Sequence, residues 1–134
     1  MNFTPEVFEQ EKKVNEEDLD QNRHVNNVRY VQWIQDIAKA HWEQRAGKDV
    51  LDKYFWVVIR HEIDYKNQAF LDDDLLLQTF VGKHTHVTSV RHVNILNKKD
   101  NSTIVKAKST WCLMDYETKK PVKITEEMLR IFTR

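Results

Sequence analysis

Residues 20–46, DQNRHVNNVRYVQWIQDIAKAHWEQRA, contain the strongest structural signal of this chain, a polar segment followed by a long helical pattern. From Asn27 onward the stretch carries apolar side chains at three- and four-residue steps, with charged and amide side chains on the other side. This pattern predicts one amphipathic helix over Asn27–Ala46. Asn26 or Asn27 is expected to cap its start, and Gly47 to end it in a left-handed conformation. The positions that form the apolar stripe are Tyr30, Val31, Ile34, Ile37, Ala38 and His41.

The chain after Gly47 alternates apolar and polar residues, as strands do. In the first of these segments Ile59, His61, Ile63 and Tyr65 are expected to face the core. Polar turns separate the segments at Asp72–Asp74 and Asn97–Ser102, and a corner is predicted at Gly82-Lys83. An earlier strand is plausible at Glu6–Val14, and Thr125 is expected to cap a short terminal helix. The predicted strands after the helix are Phe55–Gln68, Leu75–Val81, His86–Leu96 and Thr103–Asp115.

A single long helix among about five strands buries its apolar stripe best across the concave face of a curved antiparallel sheet. The predicted fold is therefore α+β, a single hotdog domain over residues 1–134 with the sheet wrapped around the central helix. One helix does not cover the edges of such a sheet. We therefore expect a homodimer or a homotetramer.

Composition narrows the partners and the compartment. The 134 residues suit one domain. Because 21 basic residues balance 21 acidic ones, the chain has no net charge that would attract a nucleic acid or a membrane. Cys112 is the single cysteine, which excludes an internal disulfide. The N-terminus has no apolar run like that of a signal peptide, so a cytoplasmic location is expected.

The loop before the helix offers the groups that acyl transfer needs. In an extended segment Asp20, Asn22 and His24 would point the same way, towards the unpaired N–H groups of the helix N-terminus. Asp20 could attack a carbonyl or activate water, and His24 could take and return a proton. The Asn22 amide and backbone N–H groups around Asn27 could hold an oxyanion. The alternative is that Asp20 and Asn22 only form an Asx-turn that shapes the loop.

Residues 18–34, DLDQNRHVNNVRYVQWI, closely resemble the segment that opens the catalytic hotdog of plant acyl-ACP thioesterases. They resemble more loosely the acyl-CoA thioesterases of the 4-hydroxybenzoyl-CoA thioesterase group. The resemblance implies hydrolysis of fatty acyl thioesters, carried by CoA or by acyl carrier protein, without a metal or other cofactor. By it, Asp20, Asn22 and His24 occupy catalytic positions. The plant enzymes fuse two hotdogs, so this chain is expected to supply its second by self-association.

The resemblance fails at two positions. Where those enzymes have a glutamate and a cysteine, this chain has Gln68 and Ala69. An amide does not titrate, so Gln68 is expected to bind substrate, as is Asn27, and not to act as an acid or base. The missing glutamate favours one alternative, an acyl-thioester binding protein without activity. A second alternative is a hotdog hydratase or dehydratase, which also joins an aspartate and a histidine at a loop before the helix.

Other residues have weaker functional interpretations. His84 and His86 could suggest zinc, but no third ligand has a useful spacing. Cys112 is expected to be a small packed thiol. Trp33 lies off the main stripe and is expected to contact a second subunit. The residues that could meet a CoA phosphate or an acidic carrier protein, or serve only solubility, are Lys83, Arg91, Lys106 and Lys108.

Overall fold

The computed structural model describes residues 4–134. Strand β1 precedes the long helix α1, and a short helix α2 leads into four consecutive strands. The elements are β1 (Phe8–Lys13), α1 (Asn27–Arg45), α2 (Lys48–Lys53), β2 (Tyr54–Tyr65), β3 (Asp74–His84), β4 (Thr88–Asn97), β5 (Thr103–Asp115) and α3 (Glu126–Ile131).

All five strands form one antiparallel sheet in the order β1-β3-β4-β5-β2. The hairpins β3-β4 and β4-β5 form its centre, while β1 and β2 lie at its edges. The chain passes from one edge to the other through α1, which packs on one face of the sheet. This topology confirms the predicted hotdog arrangement.

The core forms where the apolar stripe of α1 meets the inward residues of β3, β4 and β5. On the helix Ile34 and Ile37 are 1% and 0% exposed, and on the sheet Leu75, Val93 and Val105 are all 0% exposed. Each such burial stabilises the fold by about 2 kcal/mol. Trp33 also belongs to this cluster and is 5% exposed. The expectation that Trp33 contacts a second subunit is therefore wrong, because its ring is used within its own core.

The predicted helix start is confirmed, and α1 ends at Arg45 with Ala46 as its C-cap, but Gly47 does not adopt the predicted left-handed conformation. The Asn26 side chain accepts the Val28 N–H at 3.0 Å and caps α1. Gly47 has φ −72° and is not left-handed; it precedes the first residue of α2. That helix was not predicted, because six residues are too few for an amphipathic period to be recognised.

Two strand details also differ from the prediction. Gly82-Lys83 is no corner but part of β3, where a Cβ on Gly82 would come within 2.9 Å of the His92 ring. In β2 the pairing with β5 shifts at Ile59, and this bulge leaves Ile59 59% exposed instead of facing the core. A bulge adds one residue and so changes the alternation along the strand.

The structure confirms three further predictions. Strand β5 has the predicted bounds, and Thr125 caps α3 by accepting the Met128 N–H at 3.3 Å. Cys112 is buried in β5. Of the helices within residues 4–134, none combines the length and apolarity required to cross a bilayer.

Candidate active site

The loop before α1 is a short hairpin. Leu19 pairs antiparallel with Val25, and the Asp20 N–H donates to the His24 carbonyl at 2.8 Å. The Arg23 N–H donates to the Asp20 carbonyl at 3.0 Å, and Arg23 has φ 66°, which lies in the left-handed region. The prediction of an extended segment is therefore wrong. A closed turn, and not a stretched loop, brings Asp20 and His24 together.

The buried Asp18 ties this hairpin to the start of α1. Its Oδ1 accepts from Arg29 Nε at 2.9 Å, and its Oδ2 accepts the Asn15 N–H at 2.9 Å. Its carbonyl accepts the Asn26 N–H at 2.8 Å. Because Asp18 is 0% exposed, solvent screens these contacts little. The hairpin is thus held in a defined position against the helix N-terminus.

The two oxygens of the Asp20 carboxylate have different surroundings. Oδ1 accepts the N–H groups of Asn22 at 2.9 Å and His24 at 3.2 Å, so the Asx-turn of the alternative interpretation is present. Oδ2 receives no hydrogen bond from residues 4–134. One oxygen therefore fixes the orientation of the carboxylate, and the other is available for chemistry.

His24 and Asn22 lie on the accessible side of the hairpin. The half-buried His24 ring meets Phe70 edge-on, with 5.3 Å between the ring centroids. Phe70 is 48% exposed, and the Asn22 side chain is exposed. A ligand approaching the hairpin from solvent can therefore reach the Asn22 amide and the His24 ring.

The first residue of α1 supplies a free backbone donor. The Asn26 side chain accepts a hydrogen bond from the Val28 N–H, and the Asn26 carbonyl accepts one from the Arg29 N–H at 2.8 Å. Within the described residues the Asn27 N–H donates to no acceptor. Together with the positive end of the helix dipole, this donor suits a developing oxyanion.

The segment after β2 is hydrogen-bonded to both the hairpin and α1. The Val25 N–H donates to the Ala69 carbonyl at 3.0 Å, and the Ala69 N–H donates to the Tyr30 hydroxyl at 3.1 Å. Ala69 is 0% exposed, whereas its neighbour Gln68 is exposed. Gln68 is therefore one residue from the backbone that pairs with Val25, close to the hairpin.

A cavity of about 570 Å³ lies elsewhere, between α1 and the sheet. Its size is typical of small-molecule sites. Six of its 16 lining residues are aromatic, and seven are polar or charged. The hairpin residues predicted as catalytic do not line it, and neither do Asn27 and Gln68. Its lining residues include Leu51, Phe55, Trp56, Ser89, Arg91, Trp111 and Phe132.

A buried polar network that the sequence analysis missed borders this cavity. Arg91 Nη1 donates to His41 Nδ1 at 2.9 Å and to Thr79 Oγ1 at 3.1 Å. His41 Nε2 and Glu6 Oε1 are 2.8 Å apart, and Arg45 Nε donates to the same Glu6 oxygen at 2.8 Å. His41 Nδ1 is thus an acceptor, so Nε2 carries the proton and the ring is neutral.

One signal for this network was present in the sequence. Arg91 is in phase with Val93 and Ile95 along β4, and residues two apart share a face of a strand. Arg91 is accordingly 6% exposed. Its assignment as a surface cation for a CoA phosphate is therefore wrong. Lys83, Lys106 and Lys108 remain exposed.

The two histidines considered for zinc do not form a site. His84 ends β3, where its Nδ1 lies 3.1 Å from the Thr85 carbonyl oxygen, and His86 follows in the turn. Across residues 4–134 no cluster of three or more His, Cys, Asp or Glu side chains could hold a metal ion.

His41 should make stability depend on pH. Burial, and then the nearby Arg91 guanidinium, lower the His41 pKa from 6.5 to about 4. Between these values the unfolded chain binds more protons than the folded chain, so stability is lost as the pH falls. We expect the contribution of His41 to the free energy of unfolding to fall by about 3 kcal/mol as the pH is lowered from 6.5 to 4.

Urea denaturation at several pH values measures this effect, with His41→Gln as the control because glutamine does not titrate. The titration of Glu6 does not obscure the effect of His41 above pH 4.5. The Arg45 hydrogen bond lowers the Glu6 pKa from 4.5, so stability that depends on Glu6 is lost only at lower pH. Equal pH slopes for both proteins would contradict the assignment.

Comparison with known families gives one match that spans nearly the whole chain. The model described as the acyl-ACP thioesterase N-terminal domain matches residues 5–132. The comparison with curated proteins found no match.

Solved structures of thioesterases share this fold. YbaW, a probable thioesterase from Escherichia coli, is 21% identical with a TM-score of 0.81, over 94% of this chain and 98% of that one. A 1,4-dihydroxy-2-naphthoyl-CoA thioesterase from Synechocystis is 12% identical with a TM-score of 0.81, over 95% and 96%. The 12:0-ACP thioesterase from Umbellularia californica is 16% identical with a TM-score of 0.80; the match covers 94% of this chain but 49% of that one. At these identities the structural likeness establishes the fold alone.

Proposed function

Since the chain belongs to the acyl-ACP thioesterase family and hydrolyses acyl thioesters, we propose that Asp20, Asn22 and His24 carry the reaction. The observation that supports this most is the Asp20 carboxylate, whose Oδ1 is held by two backbone N–H groups while Oδ2 is free of hydrogen bonds within residues 4–134. A fixed carboxylate with one open oxygen, close to a helix N-terminus, suits attack on a polarised carbonyl.

In the proposed reaction Asp20 Oδ2 takes a proton from water as the water oxygen bonds to the thioester carbon. The carbonyl oxygen becomes an oxyanion, which accepts hydrogen bonds from the Asn27 N–H and the Asn22 amide. The C–S bond then breaks, and His24 passes the proton from Asp20 to the departing sulfur. The products are the free acid and the thiol, and no metal or other cofactor takes part.

Gln68 and Asn27 complete the proposed site as substrate-binding residues. Gln68 is exposed beside the hairpin, and its amide can donate to the thioester or to the arm that carries it. Ala69 offers no nucleophile, and its N–H is taken by Tyr30. The acid–base work therefore falls to the hairpin.

We propose that the protein acts as a homodimer that pairs through β2. This strand is a sheet edge of 12 residues, and it exposes Val57, Ile59 and Tyr65 by 40%, 59% and 45%. A long edge with apolar side chains is a surface that a second strand can cover.

Such pairing would join the two halves of a site. In an antiparallel pair of β2 strands about a two-fold axis at Arg60, Phe55 and Trp56 of one copy lie beside Tyr65 and Asp64 of the other. Phe55 and Trp56 line the cavity, and Tyr65 leads towards Gln68 and the hairpin. Each proposed site thus combines the hairpin of one copy with the cavity of the other.

The proposed substrates are fatty acyl thioesters of CoA or of acyl carrier protein, handled in the cytoplasm by residues 1–134 as one domain. The aromatic side chains in the cavity wall favour an apolar acyl chain. The balanced charge gives no support to a nucleic acid or a membrane as partner.

Thiol release by the purified protein tests this substrate class. We expect a thiol reagent to detect steady release from fatty acyl-CoA or fatty acyl-ACP of at least one chain length, and no release from acetyl-CoA, which leaves the cavity empty. Substrates without fatty acyl chains that react as fast as the fatty ones would contradict the proposal. Release from neither carrier would favour an acyl-thioester binding protein or a hydratase.

A further inference from the structure

The cavity contains a cation that is only partly satisfied. Arg91 lines it and is 6% exposed. Both of its hydrogen bonds come from Nη1, and neither Nη2 nor Nε donates to an acceptor in residues 4–134. The guanidinium lies 4.9 Å from the centre of the Phe132 ring, which also lines the cavity. In the described part of the chain the fully buried side-chain polar atoms without a partner do not include Nη2 or Nε. Both groups are therefore accessible and can donate to a ligand in the cavity.

The charges around Arg91 do not balance. Its two acceptors, the neutral His41 ring and the Thr79 hydroxyl, carry no charge. The carboxylate of Glu6 contacts His41 and Arg45, so it neutralises Arg45. Among residues 4–134 no carboxylate forms an ion pair with Arg91. One buried positive charge therefore remains, and a buried charge without a partner is unfavourable.

The cavity wall also carries two carboxylates, Asp36 and Glu43, which are exposed and already have partners. Asp36 Oδ1 accepts from Gln32 Nε2 at 2.8 Å, and Glu43 Oε1 lies 3.8 Å from Lys39 Nζ.

The buried part of the wall adds further donors. Trp56 and Trp111 line the cavity, and their indole N–H groups are buried without an acceptor in the described part of the chain. The Ser89 hydroxyl, opposite Trp111 in the β4-β5 pairing, adds a group that can donate. A cavity with several donors and an unpaired cation is complementary to an acceptor that carries negative charge.

We propose that Arg91 selects acyl chains that end in a carboxylate. Aromatic walls would bind the methylene chain, and the Nη2 and Nε groups of Arg91 would hold the terminal carboxylate in a paired contact. The proposal rests on the proposed function in one respect, since it takes the cavity to be the acyl site. Carboxylate recognition by the cavity itself does not depend on hydrolysis.

Binding of simple probes tests the recognition without catalysis. Octanoate and 1-octanol have the same chain and differ in charge, and the tryptophans of the cavity wall report binding by fluorescence. We expect the wild-type protein to bind octanoate about tenfold or more tightly than octanol, as a charge-assisted hydrogen bond requires. Equal affinities would overturn the proposal.

Two variants test whether Arg91 causes the preference for octanoate over octanol. Arg91→Met should abolish it, and Arg91→Lys, which keeps the charge, should retain part of it. Circular dichroism and thermal melts show whether each variant is folded, and the wild-type comparison remains decisive if Arg91→Met is not. A folded Arg91→Met protein that still prefers octanoate would overturn the proposal.

Hydrolysis separates this proposal from the proposed function. We expect the wild-type kcat/KM to be higher for octanoyl-CoA bearing a terminal carboxylate than for octanoyl-CoA itself, and the ratio to fall towards one in Arg91→Met. If octanoyl-CoA is hydrolysed and its carboxylated analogue is not, this proposal fails and the proposed function stands. If no fatty acyl-CoA or fatty acyl-ACP of any chain length is hydrolysed but octanoate binds through Arg91, the proposed function fails and carboxylate recognition stands.

Discussion

Replacing Asp20 with asparagine is expected to lower kcat for fatty acyl-CoA hydrolysis about a hundredfold or more. An asparagine side-chain oxygen can still accept the N–H groups of Asn22 and His24, which now donate to Asp20 Oδ1. The turn is therefore kept, while the oxygen that accepts the proton of water is lost. Thiol release under saturating substrate measures the effect, and urea denaturation shows that the fold is unchanged.

This substitution distinguishes the two interpretations of Asp20. If the carboxylate only shapes the turn, Asp20→Asn keeps its activity and Asp20→Ala loses it. A matched control is Asp100→Ala, because Asp100 Oδ1 accepts the Ser102 N–H at 2.9 Å in the same kind of turn. That variant should retain wild-type activity. Full activity of Asp20→Asn would remove Asp20 from the reaction.

Mixing two inactive variants is expected to restore activity if each site combines two copies. Asp20→Asn damages the hairpin, and Leu51→Trp places a large ring into the cavity, which Leu51 lines. In a mixed dimer the intact hairpin of one copy meets the intact cavity of the other. With random assortment half of the dimers are mixed and each has one working site, so about a quarter of the wild-type activity should return.

The measurement is thiol release after the two proteins are co-expressed or refolded together, with the dimer confirmed by light scattering. A mixture of Asp20→Asn with Asn22→Ala is the control, because both defects lie in the hairpin and no mixed dimer gains an intact site. If each site lay within one copy, or if the protein were a monomer, the first mixture would stay inactive. Either result would overturn the composite site.

Residues close in sequence were predicted best. The amphipathic period of α1, its Asn26 cap and the bounds of β5 depend on neighbouring residues, and the structure confirms all three. The hairpin residues were recognised, but their conformation was not. The spacing of Asp20, Asn22 and His24 carries no information about the positive φ of Arg23, which closes the turn.

Local patterns of residues were enough to predict the long helix, the antiparallel strands and the polar segment before the helix, but not the hairpin conformation of that segment. The tertiary structure alone decided that Trp33 is a core residue, that Asp20 keeps one oxygen free, and that Arg91 lies buried beside a cavity. His41 and Arg91 are 50 residues apart, yet 2.9 Å separates their nitrogens. Contacts of this kind arise when the sheet packs on the helix, and no local pattern of residues encodes which partners will meet.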